Sequence, residues 1–297
     1  NLRCRYCMPD GITQISMAEI LTYEEIRKVC ILAAELGIQK IKITGGEPLG
    51  RKGCADLIGM IKNISGITQV TMTTNGVLLQ DNLEALKKAG LDGINISLDT
   101  LDREKYQEIT GTDACEAVAA AAESGIRTKV NTVLQSDGDK TEWKALITLA
   151  ESLPVDVRFI ELMPIGYGKE NTGVSNLELL DEIRKVYPDI RKDSKIHGNG
   201  PAVYYQIPGF TGGIGFISAM HGKFCKNCNR IRLTSTGDLK PCLCYGDTYP
   251  LKDLLRNGTE EEIRKQIKRA IEQKPAAHCF EEPGAITEAH QMAQIGG

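Results

Sequence analysis

The stretch QKIKITGGEP (39–48) decides the fold. Its first six residues, 39–44, read as a strand, and GGEP stands at the strand's C-terminal end. Gly45 and Gly46 let a ligand approach the backbone, and Pro48 fixes the exit. Ligand sites lie at that end in βα barrels and in open parallel sheets. A Gly-Gly pair alone is commonly just a turn, so the reading depends on what surrounds it.

Four more runs read as strands: TQVTMTT (68–74), DGINISL (92–98), IRTKVNTVL (126–134) and VDVRFIEL (155–162). Amphipathic stretches at 22–37, 81–90, 115–125 and 142–152 lie between strands or ahead of the first. Several end in glycine (Gly37, Gly90, Gly125), as helix C-termini often do. This alternation implies a parallel sheet of βα units. An open doubly wound sheet and a barrel both fit it. Polar residues recur at the strand ends: MTTNG (72–76), SLDT (97–100), Lys129 and ELMP (161–164). Together they favour a composite pocket at one mouth, although Thr74, Asp99 or Thr100 taken singly is as well explained as a helix cap.

After residue 165 the pattern changes. PIGYGKENTG (164–173) reads as a loop, 176–187 as a helix, 202–207 and 214–218 as short strands, and 260–274 as a helix. The chain divides into a βα domain over 1–165 and a smaller, cysteine-rich domain over 166–297. The 297 residues are 41% apolar and 25% charged, so a core forms without disulfides. Net charge is −3, which argues against nucleic-acid binding. No 18-residue apolar run suggests a membrane helix. No apolar leader precedes the ten cysteines, which points to a reducing, cytoplasmic setting where clustered thiols hold metal or do chemistry.

The strongest chemical signal is FCKNCNRIRLTSTGDLKPCLC (224–244). Cys225 and Cys228 form a C-x2-C pair, and Cys242 follows after thirteen residues. That interval suits a short hairpin with TGD (236–238) as its turn. With Cys244 as a fourth ligand the motif fits a structural zinc ribbon. With three cysteines it fits an iron–sulfur site with one open iron. Arg230 and Arg232 alternate on a strand and share a face, which suits a phosphate or a polar base edge. The alternative is two solvated surface arginines.

Taken together, CRYC (4–7), GGEP (45–48), ISLDT (96–100), CKNC…C and the terminal QIGG resemble the radical S-adenosylmethionine (SAM) enzymes. Within them the chain is similar, from residue 1 to 297, to the GTP 3′,8-cyclase family of molybdenum cofactor biosynthesis. The resemblance implies a partial (β/α)6 TIM-like barrel with its first strand missing, plus a smaller α+β C-terminal domain carrying a second iron–sulfur cluster. It implies two [4Fe–4S] clusters and SAM as cofactors. Cys4 and Cys7 match two ligands of the first cluster, whose remaining cysteine would stand immediately before Asn1. On that reading the chain as given is impaired. Cys225, Cys228 and Cys242 match the ligands of the second cluster.

The resemblance further places Tyr6, Gly46, Ser97 and Met163 against SAM. It places Lys42, Thr73, Lys129, Arg230 and Arg232 against GTP, and Gly296 and Gly297 in a tail that reaches the active site. It implies radical conversion of GTP to 3′,8-cyclo-7,8-dihydro-GTP. A flavodoxin or ferredoxin would donate electrons, cyclic pyranopterin monophosphate synthase would act next, and a homodimer is allowed. Two departures stand out: Lys42 replaces an arginine, and Cys244 is an extra thiol. The competing readings are a peptide-modifying radical SAM enzyme with an auxiliary cluster and a noncatalytic zinc-ribbon binding protein.

Overall fold

The computed structural model describes residues 2, 4, 15–110, 117–135, 141–198, 200–221 and 224–295. Its strands are β1 (Lys40–Ile43), β2 (Gln69–Thr74), β3 (Gly93–Ser97), β4 (Arg127–Thr132), β5 (Val155–Ile160), β6 (Arg191–Lys192), β7 (Val203–Gln206) and β8 (Ile214–Ile217). They form one sheet in the order β1-β2-β3-β4-β5-β8-β7-β6. The first six in that order are mutually parallel, and β7 and β6 run antiparallel at one edge. Among the described residues β1 does not pair with β6, so the sheet is a partial barrel rather than a closed one.

The sixth parallel position is filled by β8, which lies beyond residue 165. Val157–Ile160 of β5 pair with Ile214–Ile217 of β8. The boundary expected at 165/166 therefore falls between two neighbouring strands of one sheet. Chain distance hides this pairing, because nothing local in either strand names the other.

Helices α1 (Tyr23–Glu35), α2 (Cys54–Lys62), α3 (Leu79–Lys88), α4 (Arg103–Thr110), α5 (Ala117–Glu123) and α6 (Glu142–Ser152) connect the parallel strands or precede β1. Their ends follow local chemistry. Thr22 and Glu25 form a capping box on α1. Gly37, Gly90 and Gly125 all have φ between 79° and 93° just past their helices, where a Cβ would be strained. Alternate strand residues face these helices: Val70, Met72, Ile94, Ile96, Val130, Val157 and Phe159 are buried in the main core. The intervening residues make the other face, which is polar.

Helix α7 (Asn176–Val186) precedes β6. Beyond β8, strands β9 (Arg232–Leu233), β10 (Asp238–Lys240) and β11 (Tyr249–Pro250) form a second, antiparallel sheet. The β9–β10 hairpin turns where the sequence places it: Gly237, at φ 93°, donates to the Thr234 carbonyl at 3.1 Å. Helices α8 (Lys252–Asn257) and α9 (Glu260–Glu272) follow. Helix α9 packs back on α1, with Ile263 and Ile267 against Val29 and Leu32 in a second core. Arg264–Glu35 (2.6 Å) and Arg256–Glu25 (2.8 Å) bridge this junction from the surface.

Candidate active site

Parallel strands bring their C-terminal ends to one rim. Gly46 follows β1, Ser97 ends β3 and Met163 follows β5, so three residues expected against SAM share that rim. The GGEP turn is held by Glu47. Its carboxylate accepts the Thr74 hydroxyl (2.7 Å), the Asn75 N–H (2.8 Å) and the Leu49 N–H (3.0 Å). Three donors on one carboxylate tie the end of β1 to the end of β2 and leave Gly46 exposed, with open space where a Cβ would stand.

A second carboxylate does similar work beyond β5. Glu161 is buried and accepts the N–H groups of Asn176 (3.0 Å), Met220 (2.7 Å) and His221 (3.1 Å), and faces His221 Nδ1 at 3.0 Å. Burial pushes its pKa up, but these hydrogen bonds outweigh burial and hold it below the usual carboxylate value. Glu161 thereby joins the start of α7 and the exit of β8 to the turn that carries Met163. Met163 itself packs with Ile165, Phe280 and Ile295.

One row below the rim, the polar face carries cations. Register places Lys42 beside Thr71, Thr73 beside Asn95, Asn95 beside Lys129, and Asn131 beside Arg158. Lys42 on β1 is coupled electrostatically to Arg158 on β5, four strands away. Flat, those strands would stand about 19 Å apart. Arg158 on β5 reaches over β4 to Asn95 on β3 at 2.6 Å, and Asn95 reaches Thr73 on β2 at 3.1 Å, so the polar faces of these strands turn toward one another in a trough. Enclosure by the trough, with Arg158, Arg230 and Lys129 nearby, pushes the Lys42 pKa down to about 7, although solvent reaches its side chain.

Lys129 is buried, and its ammonium is fully engaged. It contacts Asp156 Oδ2 (2.9 Å), the Tyr204 hydroxyl (2.7 Å) and the His197 carbonyl. An ammonium has three N–H donors, so none is left over. His197 stacks on Tyr204 at 4.0 Å and lies 2.9 Å from both Asp156 and Asp193. Burial dominates the Lys129 shift, to about 8, and Asp156 opposes it.

Arg158 was not singled out from the sequence, yet it stands among these cations. It is buried and donates to Asn95 Oδ1 at 2.6 Å. Its Nε has no hydrogen-bond partner, nor has Oδ1 of neighbouring Asn131. Asn95 in turn donates to Thr73 Oγ1 at 3.1 Å. The signal was in VDVRFIEL: Asp156 and Arg158 alternate with Val157 and Phe159, which assigns them to the polar face.

The C-terminal cysteines lie beside the same cations. Cys225 Sγ accepts the His278 N–H (3.3 Å), and Cys242 Sγ accepts the Cys244 N–H (3.5 Å). Burial raises the Cys228 pKa, but the Arg230 N–H and guanidinium and the Lys274 ammonium outweigh it and hold the thiol below its usual value. Two of the three sulfurs thus accept N–H bonds and the third is held toward its thiolate by neighbouring cations, a donor set suited to ligands of an iron–sulfur cluster. Arg232 lies within the influence of Arg230, Cys228 and Cys242, and burial foremost lowers its pKa to about 10. Among the described residues, no three Cys, His, Asp or Glu are gathered as a site for one metal ion. Cys244 meets Cys279, Sγ to Sγ at 2.9 Å, while its own N–H donates to Cys242 Sγ. Cys4 is half-buried against the main core. Tyr6, Cys7, Gly296 and Gly297 lie outside the described residues.

The chain matches the Radical SAM superfamily model over residues 1–150 and the Molybdenum Cofactor Synthesis C model over 155–280. It is 43% identical to a GTP 3′,8-cyclase of Clostridium perfringens (strain SM101 / Type A), over 100% of this chain and 94% of that protein. The chain belongs to the GTP 3′,8-cyclase family of radical SAM enzymes. A relative of the same name from Alkaliphilus oremlandii is 41% identical with the same coverage. Among solved structures, Streptococcus suis SuiB bound to S-adenosylmethionine superposes with a TM-score of 0.64 at 17% identity. That match spans 89% of this chain and 65% of SuiB, and it shows a shared fold alone.

Proposed function

We propose that the protein is a GTP 3′,8-cyclase, converting GTP to 3′,8-cyclo-7,8-dihydro-GTP at the head of molybdenum cofactor synthesis. The observation that carries this reading is the polycationic trough beside the cysteine triad. Lys42, Lys129 and Arg158 share the polar face of the sheet, and Arg230 and Arg232 lie between Cys228 and Cys242 in the chain, a setting for a nucleoside triphosphate next to a cluster.

Gly46, Ser97 and Met163 of the rim, with Tyr6, would hold SAM, and Cys4 and Cys7 would contribute to its cluster. Cys225, Cys228 and Cys242 hold the second. When bound, the first cluster and SAM supply the one-electron chemistry that removes a hydrogen atom from the ribose. The chain's own part is placement. Lys42, Arg158, Arg230 and Arg232 fix the anionic end of GTP. Thr73, positioned by Asn95, meets it from β2. Lys129 contributes charge, since Asp156, Tyr204 and His197 occupy its donors. Gly296 and Gly297 reach the reacting nucleotide. The setting is cytoplasmic, a flavodoxin or ferredoxin donates electrons, and cyclic pyranopterin monophosphate synthase takes the product. No helix among the described residues is long and apolar enough to cross a membrane.

The peptide-modifying alternative is weaker, because the likeness to SuiB is one of fold while the cyclase relatives match over the whole chain. The test uses the protein reconstituted anaerobically. Iron, sulfide and zinc are measured, then GTP turnover with SAM and a reductant. Two iron–sulfur clusters and a GTP isomer with the C3′–C8 bond are expected. Zinc without iron at the C-terminal cysteines, or SAM cleavage with GTP untouched, overturns the assignment. Deleting Gly296 and Gly297 abolishes cyclisation while both clusters remain; unchanged turnover removes the tail from the mechanism.

A further inference from the structure

Two cysteines outside both ligand sets lie against each other. Cys244 is fully buried and Cys279 is partly exposed, and their sulfurs are 2.9 Å apart. The Cys279 N–H donates to Cys244 Sγ at 3.2 Å, so backbone as well as side chain is fixed at this junction. The Cys279 thiol also donates to the Ala285 carbonyl at 3.2 Å. Cys244 stands in the loop after β10, two residues past Cys242. Cys279 stands beyond α9 at the root of the final segment. Both pack in the small core of Ile165, Phe280 and Ile295 with Met163 and Met292. Among the described residues no third donor joins them to make a metal site.

We propose that Cys244 and Cys279 form a reversible redox pair that staples the root of the C-terminal segment to the loop after β10. The chemistry needs only a low-molecular-weight disulfide as oxidant. The Cys279 thiolate attacks that disulfide, forming a mixed disulfide and releasing one thiol. Cys244, already in contact, then attacks the Cys279 sulfur and expels the second thiol, so two protein thiols are oxidised as one external disulfide is reduced. Exposure selects Cys279 for the first step, and the buried sulfur resolves it. The sulfurs must close from 2.9 Å to the disulfide length of about 2.05 Å, and the donors already in place hold the backbone for it. The link would span α8 and α9 and hold the stretch that leads to Met292–Ile295 against Met163. The inference is independent of the cyclase reading, because its measurement needs no turnover.

The reconstituted holoenzyme is equilibrated anaerobically in buffers of graded reduced and oxidised glutathione, acid-quenched, alkylated and digested. The expected result is a cross-linked peptide joining Cys244 to Cys279 that accumulates with oxidised glutathione, disappears with dithiothreitol, and is absent from Cys279→Ser and Cys279→Ala. Iron content stays unchanged across the series. Limited proteolysis of the segment after residue 279 slows several-fold in the oxidised wild type and not in either variant. Recovery of both cysteines alkylated at every ratio, or of Cys279 only as a glutathione adduct beside alkylated Cys244, overturns the pair. A cross-link with unaltered proteolysis overturns the staple.

Discussion

Replacing Glu161 by Gln tests whether the rim is built around one buried carboxylate. Four donors converge on its two oxygens: three backbone N–H groups and His221. Gln keeps one oxygen. Its amide nitrogen must face the two donors on the other side, from which it cannot accept. Each stranded buried donor costs about 1–3 kcal/mol. Two of them give roughly 4 kcal/mol, in the upper range for single substitutions. For a chain of this length that lowers Tm by about 8 °C, at roughly 2 °C per kcal/mol. The effect has a pH signature. The folded carboxyl titrates below its unfolded value of about 4.3. Its stabilisation is therefore present above that value and is lost as pH falls through the folded pKa. Thermal unfolding by circular dichroism at pH 7.5, 5 and 3.5 reads both features. The wild type should exceed E161Q by the full margin at the first two pH values and by up to about 1 kcal/mol less at the third. A difference below about 1 kcal/mol at pH 7.5, or one that does not shrink on acidification, refutes the reasoning.

Three further outcomes are expected. Bound triphosphate raises the Lys42 pKa from about 7, so GTP binding takes up protons and weakens as pH rises through neutrality; calorimetry in buffers of different ionisation enthalpy reads this, and K42R flattens the profile. Arg158→Gln and Arg230→Ala each weaken GTP binding by roughly ten- to a hundredfold, the worth of a charged hydrogen bond, while SAM binding survives; equal loss of both ligands in equilibrium titration points to misfolding instead. Lys240 and Glu288 form a buried pair at 2.6 Å, so E288Q or K240M alone costs about 3–5 kcal/mol, and the K240M/E288L double variant recovers much of it, as urea unfolding would show.

The sequence made some of this legible and hid the rest. Local patterning carries short-range information, so strand runs, glycine-ended helices and the β9–β10 turn were readable. The short helices α2 and α4 passed unmarked. Arg158 was readable in principle from its alternation with Val157 and Phe159. The partners of Lys129 were not, because Tyr204 and His197 lie 75 and 68 residues away. The meeting of Cys244 with Cys279 is of the same kind, 35 residues apart with no motif between them.

The placement of β8 beside β5 bears on how the chain is made. Strand β5 ends at Ile160, and its parallel neighbour begins at Ile214. At about 5–20 residues per second, a ribosome needs several seconds to deliver the intervening stretch. Through that interval β5 is the growing edge of a parallel sheet, with unpaired N–H and C=O groups along a strand that has one apolar face. A nascent chain halted there presents a template for another copy. Truncation near residue 165 should therefore give aggregates rather than a small soluble barrel, and slowing translation between 161 and 213 should lower the soluble yield of the whole protein.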